Sequence, residues 1–344
     1  MKALIKTTPG DGGLAWGDHP EPSAGPGEVT LELAGAGLCH TDLGMIRGTY
    51  GPGSGYSPEF PLVLGHEYVG RVIETGPGAG LPVGARVVGS AHLTCGACAW
   101  CARGRSMLCD ERKVLGLDVN GVFAERFVLP ARNLAVLPPG MPDELAVLAE
   151  PFAVAAHAVD AARVTPADDI CVVGPGTVGL LTVGALENHH VTVVGRPEDA
   201  AQMERARQLG ADETVTTAAG TERLHGRFDV VFETAGAASA VTTGTRLLGR
   251  GGRLACVGLP AQEARFSSAR LSWNEQTIIG CRAYDLSTWA SVPERLAAAA
   301  GLASLVTHTV HLSDYQHALD LVQTRQATKV LLRADPPEHP VRAS

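Results

Sequence analysis

Residues 169–179 read Asp-Ile-Cys-Val-Val-Gly-Pro-Gly-Thr-Val-Gly, an apolar run that ends on Gly174, Gly176 and Gly179. A short unbroken apolar run is what a strand buried on both faces needs, and the Leu-rich stretch after it favours a helix. Gly-x-Gly-x-x-Gly is weak evidence alone, but between a strand and a helix it predicts a dinucleotide site. The glycines allow a tight turn and let the backbone, with Thr177 and Val178, approach a pyrophosphate at the helix N-terminus.

Working outward, the chain alternates strand-like and helix-like segments. VTVV (191–194), EDAAQMERARQLG (198–210), FDVVFETAG (228–236), SAVTTGTRLLG (239–249) and GRLACVGLP (252–260) follow in turn. Such alternation predicts a doubly wound parallel sheet. Before it, residues 1–150 hold short strand-like runs (VTLELAGAG, PLVLGHEYVGRVIETG, ARVVGS, GVFAERFVLP) broken by glycine and proline, the pattern of a β-rich domain. The tail adds helical stretches at 291–302 and 314–323 and strand-like runs at 307–312 and 329–334. The expected fold is therefore α/β, with a β-rich domain over 1–151 and 289–344 and a nucleotide domain over 152–288.

Composition limits the function. The 344 residues are 45% hydrophobic and 19% charged, which excludes a disordered or fibrous chain. A net charge of −8 argues against nucleic acid as a partner. The longest uncharged apolar stretch, 170–186, is broken by Pro175 and four glycines and is too short to span a bilayer, and MKALIKTTPG lacks an apolar signal core. The expectation is a soluble cytoplasmic protein with a small-molecule substrate.

The eight cysteines point to metal before disulfides. Cys95, Cys98, Cys101 and Cys109 are spaced to close a tetrahedral zinc site with no open position; an iron–sulfur cluster is the alternative for four such thiolates. A second set is dispersed: Cys39, the Gly65-His66-Glu67 triplet, and Glu150 before Pro151. One thiolate, one imidazole and one carboxylate are how a catalytic zinc keeps its fourth position open. Each residue is weak evidence singly, and the four-cysteine lobe makes the metal reading specific. Two zinc ions per chain are expected. Cys171, Cys256 and Cys281 lie in apolar runs and read as small buried hydrophobes.

An NAD site usually ends its second strand with an acidic residue for the ribose hydroxyls. Here VTVV is followed by Gly195-Arg196-Pro197. With no carboxylate at 195 and a guanidinium at 196, the reading is NADP(H) in preference to NAD(H). The alternative is that Glu198 or Asp199 reaches the ribose.

Together these motifs resemble the zinc-containing medium-chain alcohol dehydrogenase family over nearly the whole chain. CHTDL (39–43), GHE (65–67), the four-cysteine lobe, AEP (149–151), GPGTVG (174–179) and KVLL (329–332) occur in the family's order. The stretch 115–134 is most like the threonine and sorbitol dehydrogenase branch, with the glucose dehydrogenases as the rival comparison. The resemblance implies a GroES-like β-rich catalytic domain and a Rossmann domain with the active cleft between them. It implies a catalytic zinc on Cys39, His66 and Glu150, with Glu67 able to join or exchange. It makes Thr41 the hydroxyl on the substrate oxygen, and His40 and Lys329 contacts to the cofactor pyrophosphate. A homodimer or homotetramer is the family habit. Many relatives carry a relay histidine four or five residues after the ligand cysteine, where this chain has Leu43 and Gly44. The polyol enzymes' Arg-Tyr pair appears here as Arg282-Ala283-Tyr284, which departs from a polyol site.

The leading expectation is hydride transfer between NADP(H) and a secondary alcohol/ketone pair: a polyol, an amino alcohol, a sugar or a biosynthetic intermediate. Reduction of a conjugated C=C or an iminium C=N on the same scaffold is the enzymatic alternative. A non-catalytic NADPH-binding protein is the third, which retention of Cys39, His66 and Glu150 argues against. Pocket residues are expected in 47–60, with Tyr50 and Tyr56, and near Trp289.

Overall fold

The computed structural model describes residues 1–51, 54–216 and 218–334. The chain forms two compact units, one of 1–101, 108–150 and the tail from Val306, the other of 102–107 and 151–305.

In the second unit the apolar run 169–173 becomes the strand Asp169–Val173, parallel to His190–Val194 on one side and Phe228–Glu233 on the other. Glu213–Val215, Leu248–Cys256 and Thr277–Gly280 complete a six-stranded parallel sheet. Counted along the chain its order is 3-2-1-4-5-6, the doubly wound arrangement whose ligand crevice lies where the order reverses, beside the first strand. Cys171, Val194, Phe228, Val231 and Leu254 are buried in one cluster of its core. At roughly 1.5–3 kcal/mol per large apolar side chain removed from water, such burial dominates the fold's stability.

The tail departs from expectation. The return to the first unit falls at 305/306 rather than 288/289. The helix Val292–Ala298 and the 3-10 segment Ala300–Leu305 stay with the nucleotide unit. Leu302 fills the space above Gly184 of the helix Thr177–Ala185, and Arg205 donates to the Ser304 carbonyl at 3.4 Å. Residues 102–107 join the same unit because Asp285 accepts the Met107 N–H at 2.9 Å while the Leu286 N–H donates to the Ser106 hydroxyl at 2.9 Å.

The first unit is built on the strand Glu28–Gly37. It pairs antiparallel with Glu67–Thr75, with Arg126–Pro130 and, through Ala36 and Gly37, with Lys329–Arg333. Arg86–Gly89, Leu134–Val136 and Val306–His311 extend the sheet. The tail thus completes the β-rich unit from Val306 onward, through the paired strands Val306–His311 and Lys329–Arg333. The stretch 61–76, which reads as one strand, is cut in two. Leu62–Val63 pairs with Lys2–Lys6, and Glu67 begins a new strand. Between them Gly65 takes φ +92°, a conformation that favours glycine, with the Phe123 ring filling the place of a side chain. That break presents His66 at the head of a strand.

Candidate metal and nucleotide sites

Cys39 lies two residues past the strand Glu28–Gly37 and caps the helix His40–Ile46. Its N–H donates to Asp42 Oδ2 at 2.9 Å, a capping box in which the acid sits three residues into the helix. The other Asp42 oxygen lies 3.2 Å from His66 Nδ1, and Asp42 is 2% exposed. One carboxylate therefore fixes both the backbone of Cys39 and the ring of His66, leaving Nε2 for a cation. Donor atoms of Cys39, His66 and Glu67 all lie within 4.8 Å of one another. Burial disfavours charge on His66, yet Asp42 and Cys39 outweigh it and hold the imidazole well above its ordinary range. A bound cation would displace that proton. Thiol, imidazole and carboxylate suit a divalent zinc ion.

Glu67 is fully buried and paired through both oxygens, at 2.8 and 2.7 Å, to Lys329, which also donates to the Leu38 carbonyl at 3.2 Å. Burial would lower the Lys329 ammonium, but Glu67 and then Cys39 raise it above its usual value. Lys329 is thus committed inside the protein, where the resemblance places it on a pyrophosphate. His40 lies at the surface beside it. Partial desolvation by its neighbours, then Lys329, Arg325 and Arg47, hold its imidazole below the ordinary value. Glu150 is buried in the first turn of the helix Ala149–Ala162 and lies outside the three-residue donor group. Thr41 Oγ1 is 3.6 Å from Cys39 Sγ.

The four cysteines of the lobe also converge, with donor atoms within 4.8 Å of one another and Cys109 Sγ 3.5 Å from Cys95 Sγ. The backbone N–H of Cys101 draws the Cys98 thiol down to about 6, whereas burial pushes Cys101 up to about 12. Four thiolates this close need a cation, and tetrahedral zinc fits the set.

In the nucleotide unit the three glycines divide their tasks. Gly174 turns at φ +106° against the backbone of Ala235, Gly176 faces open space at the head of the helix, and Gly179 abuts the Gly174 carbonyl. This cradle fits a pyrophosphate approached by backbone N–H groups, with Thr177 and Val178 in the first turn. A side chain at Gly195 would meet Pro175 and Met203 Sδ at 3.1 Å. A side chain there would crowd the fingerprint's own proline and the Met203 thioether, which would have to give by a few tenths of an ångström. Arg196 is half exposed, and its guanidinium contacts Asp199 at 3.2 and 3.3 Å and Glu198 at 3.2 Å.

Of the expected pocket residues, 52 and 53 lie outside the described residues. Trp289 is buried and stacked on Tyr284, with ring centroids 5.5 Å apart. Asp42 received no role from sequence, although its capping-box spacing from Cys39 was a readable signal.

The chain is similar to known proteins over nearly its whole length. Residues 25–139 match the alcohol dehydrogenase GroES-like domain and residues 177–300 the zinc-binding dehydrogenase domain. A sorbitol dehydrogenase of Halalkalibacterium halodurans is 32% identical, covering 96% of this chain and 99% of its own. A Sinorhizobium meliloti zinc-binding dehydrogenase solved with NADP superposes with a TM-score of 0.86 at 26% identity, covering 96% and 98%. An Escherichia coli alcohol dehydrogenase solved with NADH gives the same TM-score and identity, covering 97% and 99%.

Proposed function

The chain belongs to the zinc-containing medium-chain alcohol dehydrogenase family, and on that premise we propose that it transfers a hydride between NADP(H) and a secondary alcohol/ketone pair. The observation that carries the reading is the convergence of Cys39, His66 and Glu67 beside the Thr41 hydroxyl. A zinc ion held there would supply Lewis-acid polarisation of a substrate oxygen. A nicotinamide dinucleotide held by its pyrophosphate at the glycine turn would supply the hydride chemistry.

The protein's own residues do the rest. Asp42 orients His66, and Lys329 balances the Glu67 charge, so the site stays near neutrality when a substrate oxygen gains negative charge. Thr41 stands within reach of that oxygen's proton and carries it during the reaction. The third protein donor is Glu67, the carboxylate already gathered with Cys39 and His66; Glu150 enters only by rearrangement. Metal analysis tests this: Glu67→Gln should lose one zinc per chain and Glu150→Gln should keep both. The reverse result would return the ligand role to Glu150. The four-cysteine lobe holds the second zinc. The missing acid at Gly195 and the guanidinium of Arg196 support NADP(H) over NAD(H).

Nicotinamide absorbance, followed over secondary alcohols, polyols, aldoses and their ketones with and without a zinc chelator, tests the whole reading. Chelator-sensitive turnover with NADP(H) is expected, and Cys39→Ala or His66→Ala should abolish it while nucleotide still binds. Unchanged turnover in either variant refutes the metal role.

A further inference from the structure

The fourth strand of the parallel sheet, Phe228–Glu233, lies between the first and the fifth, with Glu233 level with Val173 on one side and Cys256 on the other. Its last residue and the three that follow, Glu233-Thr-Ala-Gly236, therefore stand between the glycine turn and the turn at Val257 and Gly258. Thr234 and Glu233 bond in these two directions. The Thr234 hydroxyl donates to the carbonyls of Gly174 at 2.7 Å and Val173 at 3.1 Å. Glu233 is fully buried, and its Oε1 accepts the N–H groups of Ala235 at 2.9 Å and Gly236 at 2.8 Å. With Gly236 at φ +67°, two successive N–H groups converge on one oxygen, as in the backbone nests that hold anions. The turn of the fifth strand closes over the same carboxyl. The Val257 and Gly258 N–H groups donate to the Glu233 carbonyl at 2.9 and 3.1 Å. A Cβ on Gly258 would stand 2.3 Å from Gly236 N and 2.8 Å from Glu233 Oε2.

Resting on the proposed use of a nicotinamide dinucleotide, we propose that Glu233 is a positioning residue for the coenzyme seat. It acts through the turns after the fourth and fifth strands, which it holds from the inner side. In a sheet ordered 3-2-1-4-5-6 the dinucleotide lies across the crevice beside the first strand, so the neighbouring strand ends form part of its seat. Ala235 is exposed there while its N–H points inward to Glu233. Without an acceptor at Oε1, two N–H groups lose their partner and the turn shifts to find others. Coenzyme binding then carries the cost of ordering that turn again. Burial pushes the Glu233 carboxyl above its usual range, against the N–H groups of Gly236, Ala235, Ala237 and Gly258. Protonated or not, it keeps an acceptor oxygen, and a glutamine amide presents the same one.

Titration of the full zinc-loaded chain with NADPH and, in parallel, NADH tests this, followed by the fluorescence of the nucleotide. Glu233→Ala should bind coenzyme about tenfold more weakly, the scale of one or two lost hydrogen bonds. Glu233→Gln, which keeps the acceptor, should stay within about threefold of wild type. The Kd is read well below the thermal midpoint, on protein shown to be folded by circular dichroism. A residue that only stabilises the fold lowers the midpoint and leaves the Kd of folded protein unchanged. An unchanged Kd in Glu233→Ala, or an equal loss in Glu233→Gln, would therefore overturn the role. Should Glu233→Ala fail to fold, Gly258→Ala replaces it. Its methyl group forces the two turns apart beside an intact carboxyl, and it must reproduce the loss. Zinc content should be the same in every variant. Coenzyme binding without turnover on any alcohol would remove the proposed reaction and leave the role of Glu233 standing on the difference between the variants. Binding of neither coenzyme by wild type would overturn both.

Discussion

The proposed preference for NADP(H) rests on two neighbouring residues that act in different ways. At Gly195, Pro175 and Met203 stand 3.1 Å from where a side chain would begin. Gly195→Asp alone should therefore fail to convert the site to NAD(H) and should cost stability, of the order of 1–3 kcal/mol for an overpacked position. Pairing it with Pro175→Ala should relieve that cost and tighten NAD⁺. A thermal melt and coenzyme titrations read both, and a well-folded Gly195→Asp with NAD⁺ preference would refute the steric argument. Arg196 contributes charge, but Asp199 and Glu198 already hold its guanidinium, and a 2′-phosphate must displace them. Arg196→Ala should weaken NADP⁺ about tenfold and leave NAD⁺ nearly unchanged, whereas Asp199→Asn should tighten NADP⁺. Equal losses for both coenzymes in Arg196→Ala would sink the assignment.

Elements far apart in the sheet are tied by single side chains. Asp143, opening the short helix Asp143–Ala146, bonds Arg86 Nη2 at 2.5 Å and Arg333 Nη1 at 2.9 Å, from strands separated by two others in the sheet order. Burial raises its carboxyl, but Arg333 and Arg86 outweigh it and hold it below the usual range. A depressed folded pKa means a contribution complete above the ordinary value near 4 and lost as pH falls through the folded value. Asp143→Asn should thus cost about 1–2 kcal/mol in urea melts at pH 7, discounted because both arginines are about one-third exposed, and progressively less below about pH 4. A constant difference from pH 7 to pH 3 would contradict the ion-pair account. The same scale shows what sequence could and could not carry. The long strands, the glycine turn and the cysteine spacings were legible because period, residue type and short-range spacing encode them. The strands Glu213–Val215 and Thr277–Gly280 were missed because three or four residues hold no period, and their partners define them. The break at Gly65 was missed because it depends on Phe123. Lys329 on Glu67 lies 262 residues away, a contact that follows only from the register of strands on either side of Glu28–Gly37. Cys39 and His66 were legible as candidate ligands from residue type, whereas the gathering of Glu67 rather than Glu150 with them depends on tertiary geometry.

On the scale of the whole molecule, the two candidate metal sites draw their donor residues from the same unit, yet they depend on the fold differently. Cys39, His66 and Glu67 sit on helix and strand ends already fixed by Asp42 and Lys329, so the surrounding fold stands without a cation. The lobe 95–109 has two short helical segments, Ala99–Ala102 and Ser106–Leu108, and little apolar burial beyond Met107 and Cys109. Asp285 and Leu286 hold Met107 and Ser106, and on the proposed reading a zinc ion orders the rest of the lobe, as in small zinc-bound segments whose binding free energy is folding free energy. Cys98→Ala should remove one zinc per chain and lower the thermal midpoint by roughly 5 °C or more while nucleotide binding persists. Cys39→Ala should remove the other zinc, abolish turnover and leave the midpoint within about 2 °C. Acid should release both ions, because protons compete for thiolate and imidazole, and the fall in midpoint should track loss from the lobe. Metal analysis beside calorimetry decides it. Equal melting of the two variants would mean that the catalytic site, too, is held together by its ion.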